Sequence, residues 1–475
     1  MFQDKRFQIA ILLAALTLWG CDAEEDQTED ANTSLAAAPV THYFAADDGE
    51  HGFEVWKSDG TEAGTIMLKD INPSGSSLNT NGTYLRLYYA TFNGMVLFAV
   101  NDGEHGYELW KSNGTEAGTV MVKDINPSGS SYPGNHFLLF RNAVYFAADD
   151  GVNGRELWKT DGTEAGTMMV KDINPSGVSS DFASLYVGKE LFYFRADDGV
   201  HGSELWKSDG TAAGTVMVKD INPTGGSLPQ IMTLLNDTLY FSANDGVHGH
   251  ELWKTDGTEA GTVMVKDLST LNKSGNPASL TVMGDDLYFC ARDTVYGYEL
   301  WKSDGTEAGT VVLKDINEQN TTNTTTDDSD CGELQVIGKT LIFLANDGIH
   351  DHELWKTDGT EAGTVMVKDI NPETDDSFYY MSTTVMNNTY FITYNDGIHG
   401  NELWKTDGTE DGTVMVKDIN ESAGGSFIYQ YAPYKNIFFF TATDATHGRE
   451  LWKSNGTEAG TAMVKDINPT GNGMK

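Results

Sequence analysis

The chain has 475 residues, of which 39% are hydrophobic and 21% charged, and 70 acids against 31 lysines and arginines leave a formal net charge of −39. A surface this acidic excludes nucleic acid and anionic membrane as partners, because phosphate contacts are made by lysine and arginine.

Lys5 and Arg6 precede an apolar run from Phe7 to Leu18. The run is too short to span a bilayer and suits a secretory signal peptide over 1–20. It ends Leu18-Trp19-Gly20-Cys21, which resembles a bacterial lipoprotein processing site with Cys21 as the acylated residue. That resemblance implies a lipid-anchored protein of the cell envelope, and Asp22 after the cysteine implies retention at the inner membrane of a Gram-negative cell; the alternative is a secreted protein. Residues 21–40 open with six acids and scarcely an apolar side chain, a composition that reads as a flexible tether, although 34–40 offers a first inner strand.

From residue 41 to 475 one phrase, E-L-W-K-[S/T]-[D/N]-G-T, recurs nine times around Trp56, Trp110, Trp158, Trp206, Trp253, Trp301, Trp355, Trp404 and Trp452, at spacings of 47 to 54 residues. The domain is therefore an array of one supersecondary unit. In the unit at 280–317, Leu280–Met283 is a short strand, Gly284-Asp285 a tight turn and Leu287–Ala291 a second strand. The neighbouring unit shows the rest: a polar turn at Asn244–Gly249, a third strand around Glu251–Lys254, a reversal at Asp256–Gly261 and a fourth strand at Thr262–Lys266. The Val-Met-Val centre of that last strand predicts a sheet covered on both faces. Nine four-stranded units of about 48 residues predict an all-β fold, a β-propeller with the first blade incomplete unless 34–40 supplies its inner strand; eight full blades plus a partial one, and a β-solenoid, are the alternatives.

The repeated phrase resembles the bacterial repeat family named for its E-L-W-x-x-D-G-T signature, and the strand order is similar to kelch-type blades. Departures are local: Val55 for Leu, Asn113 and Asn455 for Asp, Ala212 for Glu. The resemblance implies an exported or surface-associated protein and no particular reaction.

The charge belongs mostly to the repeat. Motif positions supply 42 of the 70 acids, which read as solvated turn carboxylates capping backbone amides. Seven units carry a turn histidine, and one imidazole per blade gives separated residues rather than the three or four ligands within about 2 Å that a transition metal needs. A hydrogen bond within each turn is the better reading. Calcium would rest on turn acids such as Asp124 and Asp245, but it takes about 6–8 oxygens and no EF-type loop is present, so no cofactor is expected. Cys290 on a second strand and Cys331 in an inserted loop are candidates for a disulfide, or else a buried small residue and an unrelated thiol.

No nucleophile elbow, metalloprotease helix or Cys-x-x-Cys motif occurs. What asymmetry exists lies in the inter-blade links, with insertions at 76–83 and 318–332, and in the inner strands, which carry Tyr88, Tyr89, Tyr379, Tyr380, Tyr429 and Tyr431. Aromatic rings exposed at a channel mouth would stack on sugar or peptide. The expectation is a monomeric binding or scaffold module for a carbohydrate or protein ligand, not an enzyme; the rival is a propeller hydrolase or lyase acting on polysaccharide, marked by carboxylates, His and Tyr converging at one mouth.

Overall fold

The computed structural model describes residues 41–474 apart from 80–86, 135, 270–272, 319–327, 373–382 and 422–423. Cys21, the leader and the acidic tether lie outside the described residues, as do Tyr379, Tyr380 and much of the 318–332 insertion. Every element is a strand, and the strands form nine antiparallel sheets arranged as a nine-bladed propeller. In blade 5 these are an inner strand Gln230–Leu235, a second strand Thr238–Asn244, a third strand His250–Thr255 and an outer strand Val263–Lys266. Blade 6 repeats them as Ala278–Met283, Asp286–Arg292, Tyr298–Ser303 and Val311–Lys314, and blade 7 as Gly332–Ile337, Thr340–Asn346, His352–Thr357 and Val365–Lys368. Blade 1 shows three strands, His42–Asp47, Phe53–Ser58 and Ile66–Met67, which match the second, third and outer strands elsewhere. The segment expected to supply its inner strand is not among the described residues.

Tight turns join inner to second strands at residues that accept positive φ, among them Asn236 (φ 51°) and Asp237 (φ 63°). The second strand is the one buried on both faces, five successive core residues in blade 5. The outer strand corrects the expectation drawn from Val-Met-Val: Val263 is 39% exposed, as are its counterparts Val120 and Val216 to similar extents. As the edge of its sheet, this strand reaches past the neighbouring blade, and only its third residue turns inward.

Each repeat tryptophan is 3–7% exposed and packs into the blade before it. Trp253, for example, joins Leu205, Val218 and Ile221 of blade 4 in one apolar cluster. Nine such clusters, one per interface, replace a single central core. The last joins Phe439 and Ile467 to Phe44 and Trp56, so the ring closes. The motif lysine pins the same interfaces: Lys254 Nζ donates to the Gly305 carbonyl of the next blade at 2.8 Å, and Lys453 reaches Gly60 at 2.6 Å across the closure.

The motif glutamates overturn part of the charge reading. Glu54, Glu108, Glu156, Glu204, Glu251, Glu299, Glu353, Glu402 and Glu450 are fully buried rather than solvated. Both faces of a blade are covered, so strand alternation offers them no water; each turns to the amides of its own inter-blade link instead. Glu108 accepts from Ile125 N–H at 2.8 Å and Ser131 N–H at 2.9 Å. Desolvation pushes Glu251 up to about 7 and Glu299 up to about 8.

Candidate functional site

Two faces follow from the hydrogen bonding. Asn244 N–H at the end of a second strand donates to Ser227 O in a link, and Leu228 N–H of that link donates to Ser203 O at the start of a third strand. Links and second turns therefore share one face, here the link face. The Asp-Gly-Thr turns lie on the other face, where repetition is nearly complete: Asp256 Oδ1 accepts Thr258 N–H at 2.8 Å and Thr258 O–H at 2.7 Å, an arrangement repeated by Asp or Asn in every blade.

On the link face, one position varies while its neighbours do not. The residue before each motif glutamate is Phe53, Tyr107, Arg155, Ser203, His250, Tyr298, His352, Asn401 or Arg449. At the junction of blades 6 and 7 this position, the inserted link and a disulfide come together. Cys290 and Cys331 are bonded, with Cα atoms 5.8 Å apart, so the pairing anticipated as one alternative is the observed one. The bond fastens the link next to Asp330. Two residues back, Asp328 is buried, accepts Tyr298 N–H at 2.9 Å and forms an ion pair with Arg292. In seven blades the place of Arg292 is held by Asp or Asn, and in blade 9 by Thr443.

Across the junction, His352 Nε2 lies 4.0 Å from Asp330 Oδ2, and its Nδ1 lies 3.1 Å from Asp351 Oδ1. Asp351 stands where the other eight blades have glycine, at φ 58°. A carboxylate residue held in the left-handed region costs on the order of 1–3 kcal/mol, and here it brings the group that orients His352. Burial pushes the Tyr298 phenol up to about 12, with Asp330 adding to the shift, so it remains a proton donor at neutral pH. Partial burial likewise raises the Asp330 carboxyl, opposed by His352 and Arg292 and reinforced by Asp328, although its side chain is 58% exposed. Imidazole and carboxylate thus meet at one rim position, with the Tyr298 phenol near enough to feel the Asp330 charge, and the groups can hydrogen-bond a polar ligand or pass a proton.

The aromatic residues expected at the mouth do not act together. Tyr88 is 39% exposed beside His136, and Tyr89 is half-buried against Tyr43. Tyr429 lies under the Arg449 guanidinium. Tyr431 corrects the expectation outright: it is 5% exposed inside the cluster between blades 8 and 9, its hydroxyl 3.0 Å from Thr393 Oγ1. Of the calcium candidates, Asp245 is fully engaged as a turn former, with Oδ1 accepting Val247 and His248 amides and Oδ2 2.7 Å from His248 Nδ1. Asp124 has one buried oxygen without a partner, but no group of three metal-ligating side chains exists among the described residues. The turn histidines pair within their own turns as expected, and hydrogen bonding to the adjacent aspartate raises each imidazole.

No protein-family model matches the chain, and no curated protein matches its sequence. Among solved structures, it is similar to one in a study of two prolyl endopeptidases, at 11% identity and a TM-score of 0.42, over 82% of this chain and 49% of that one. Puromycin hydrolase gives 12% identity and 0.38 over 70% and 53%, and oligopeptidase B from Leishmania major 12% and 0.40 over 69% and 48%. The chain spans about half the length of these proteins. Likeness at this level carries no argument about activity.

Proposed function

We propose that this propeller is an exported, lipid-anchored binding module of the cell envelope, which receives a carbohydrate or protein ligand on its link face at the junction of blades 6 and 7. The observation that supports this reading is the confinement of asymmetry. The Asp-Gly-Thr face repeats from blade to blade, while Arg292, Asp328, Asp330 and Asp351 depart from the repeat within one disulfide-fastened patch, beside Tyr298 and His352 at the variable position. Ligand recognition resides where a rigid scaffold holds unlike residues together.

The test is a glycan array and an envelope pull-down with wild type, Tyr298→Phe and His352→Ala. Loss of a captured ligand in both variants, at unchanged melting temperature, supports the site; capture indifferent to both removes it. The anchor rests on Leu18 to Cys21. Cys21→Ser is expected to move the protein from the membrane fraction to the soluble one, and an unchanged distribution overturns the lipid anchor.

A polysaccharide hydrolase or lyase is the second reading, favoured by the approach of His352 to Asp330 beside Tyr298. Incubation with a polysaccharide panel separates the two. New reducing ends that disappear in His352→Ala establish an enzyme, and binding without cleavage establishes the module.

A further inference from the structure

Blade 6 breaks the repeat at a second place, where its second turn meets the outer flank of the blade. In seven blades the second-turn aspartate is claimed on both oxygens, two backbone amides on Oδ1 and, at 2.7 to 2.9 Å, the turn histidine on Oδ2. In blade 3, Asn153 Nδ2 takes the histidine's part at 2.7 Å from Asp150 Oδ2. Blade 6 has Tyr296 there instead. Asp293 Oδ1 still accepts Val295 and Tyr296 N–H, but its other oxygen has no side-chain partner among the described residues, and the Tyr296 ring stands 40% exposed. Blade 6 also differs underneath: Trp301 Nε1–H donates to Ala291 O at 3.0 Å, whereas the buried Nε1 of the other eight repeat tryptophans is unpartnered among the described residues.

An open groove of about 430 Å³ lies at this place, lined by Asp293, Tyr296, Trp301 and Lys314 of blade 6 and flanked by Lys266 of blade 5 and Glu361 of blade 7. Its lining alternates ring and aliphatic surface with charged groups of both signs. The two ammonium groups are fixed, Lys266 on Thr310 O at 2.6 Å and Lys314 on Thr364 O at 2.9 Å, and so repel a cation; the carboxylates repel an anion. A neutral ligand with one apolar face and an edge of hydroxyls satisfies all of these groups at once. The volume falls within the ordinary range for small-molecule sites, roughly 300–1,000 Å³.

We infer that the flank of blade 6 is a neutral-saccharide site, in which one sugar ring lies on Tyr296 and donates hydroxyl hydrogen bonds to Asp293 Oδ2 and Glu361. The site shares no residue with the link-face patch, although its Asp293 and Tyr296 belong to the turn between Arg292 and Tyr298. The test is saturation-transfer NMR with maltose, cellobiose and di-N-acetylchitobiose on the full chain. At least one of the three is expected to give transfer from the protein. Tyr296→His should abolish that transfer, because it restores the imidazole that claims the aspartate in seven sister turns; for the same reason the variant should fold as wild type does. Asp293→Asn should weaken binding about tenfold, the loss of one charge-assisted hydrogen bond. Tyr298→Phe should leave it unchanged, which separates this site from the link-face proposal. No transfer with any of the three sugars, or transfer that survives Tyr296→His at full strength, overturns the inference.

Discussion

Blades 5 and 6 carry the same phrase on the same four strands, yet the second turn of blade 5 closes onto itself and that of blade 6 does not. In blade 5, His248 occupies Asp245, Asn244 ends the second strand, Ser242 fills the core position and the link to blade 6 is short. In blade 6 the corresponding places hold Tyr296, Arg292 and Cys290, and the link is the inserted one that the Cys290–Cys331 bond secures. The Cys290–Cys331 bond takes its place within the apolar cluster around Trp355, and none of these exchanges touches the Asp-Gly-Thr turn. A repeat scaffold can give up its self-satisfying contacts at the link face and flank because its stability is held in the inter-blade clusters.

The largest expected effect tests the feature that the two blades share. A glutamate raised by burial binds its proton more tightly in the folded state, so its contribution is fully present below its ordinary 4.5 and is lost as pH rises through the folded value, about 7 for Glu251 and about 8 for Glu299. The histidines raised by their aspartates act in the same direction. Thermal stability should therefore be higher at pH 5.5 than at pH 8.5. The comparison sharpens with single variants: Glu299→Gln should flatten the melting temperature against pH more than Glu251→Gln, because the blade 6 carboxyl lies in the drier place. A profile that rises from pH 5.5 to 8.5 would show that the link amides, and not burial, govern these carboxyls.

Next in size are the tryptophans. Trp253→Ala should cost about 3–5 kcal/mol, the usual penalty for truncating a buried aromatic. Trp301→Ala should cost about 1 kcal/mol more, since it also leaves the Ala291 carbonyl without its indole donor. Chemical denaturation decides whether the two differ. Removal of the disulfide in a Cys290→Ala, Cys331→Ala protein should cost about 2–4 kcal/mol. It should also abolish whatever the link-face patch binds, because Asp330 is adjacent to Cys331. Equal denaturation midpoints in the single-blade variants would erase the distinction drawn between blades 5 and 6.

Turn chemistry and hydrophobic spacing made the blades legible in the sequence: residues that accept positive φ recur at fixed offsets from a tryptophan, and nine repeats average out local ambiguity. The Cys290–Cys331 pair was open to reading because one cysteine sat on a strand and the other in an adjacent insertion. Tyr431 was misplaced because an inner strand shows one residue to the channel and the next to the core, and composition does not say which. Glu251 and its counterparts were misread for a related reason. A charged residue in a strand normally marks the wet face, but a sheet covered on both sides has none, and the partner amides lie 17 or more residues onward. Tyr298 and His352 went unremarked although their signal was present, one freely varying position set against an invariant Glu-Leu-Trp. Asp351 was visible too, as the one non-glycine in its column, but its bond to His352 needed the fold.

The smallest effect expected is on the face where blades 5 and 6 agree. Asp256 Oδ1 takes both the amide and the hydroxyl of Thr258, while Gly261 N–H donates to that same hydroxyl oxygen at 2.9 Å, so one carboxylate oxygen organises the whole reversal. Asp256→Ala should cost about 1 kcal/mol, the usual value of a local capping bond. Asp256→Asn should cost almost nothing, because an amide oxygen serves equally: Asn113 Oδ1 accepts Thr115 N–H at 3.1 Å and Thr115 O–H at 2.7 Å in blade 2. Neither change should alter ligand capture, since the turn lies opposite the link face and away from Tyr296. If Asp256→Asn destabilises as much as Asp256→Ala, the charge itself is needed. If either abolishes binding at unchanged melting temperature, the division into a structural face and a recognition face fails.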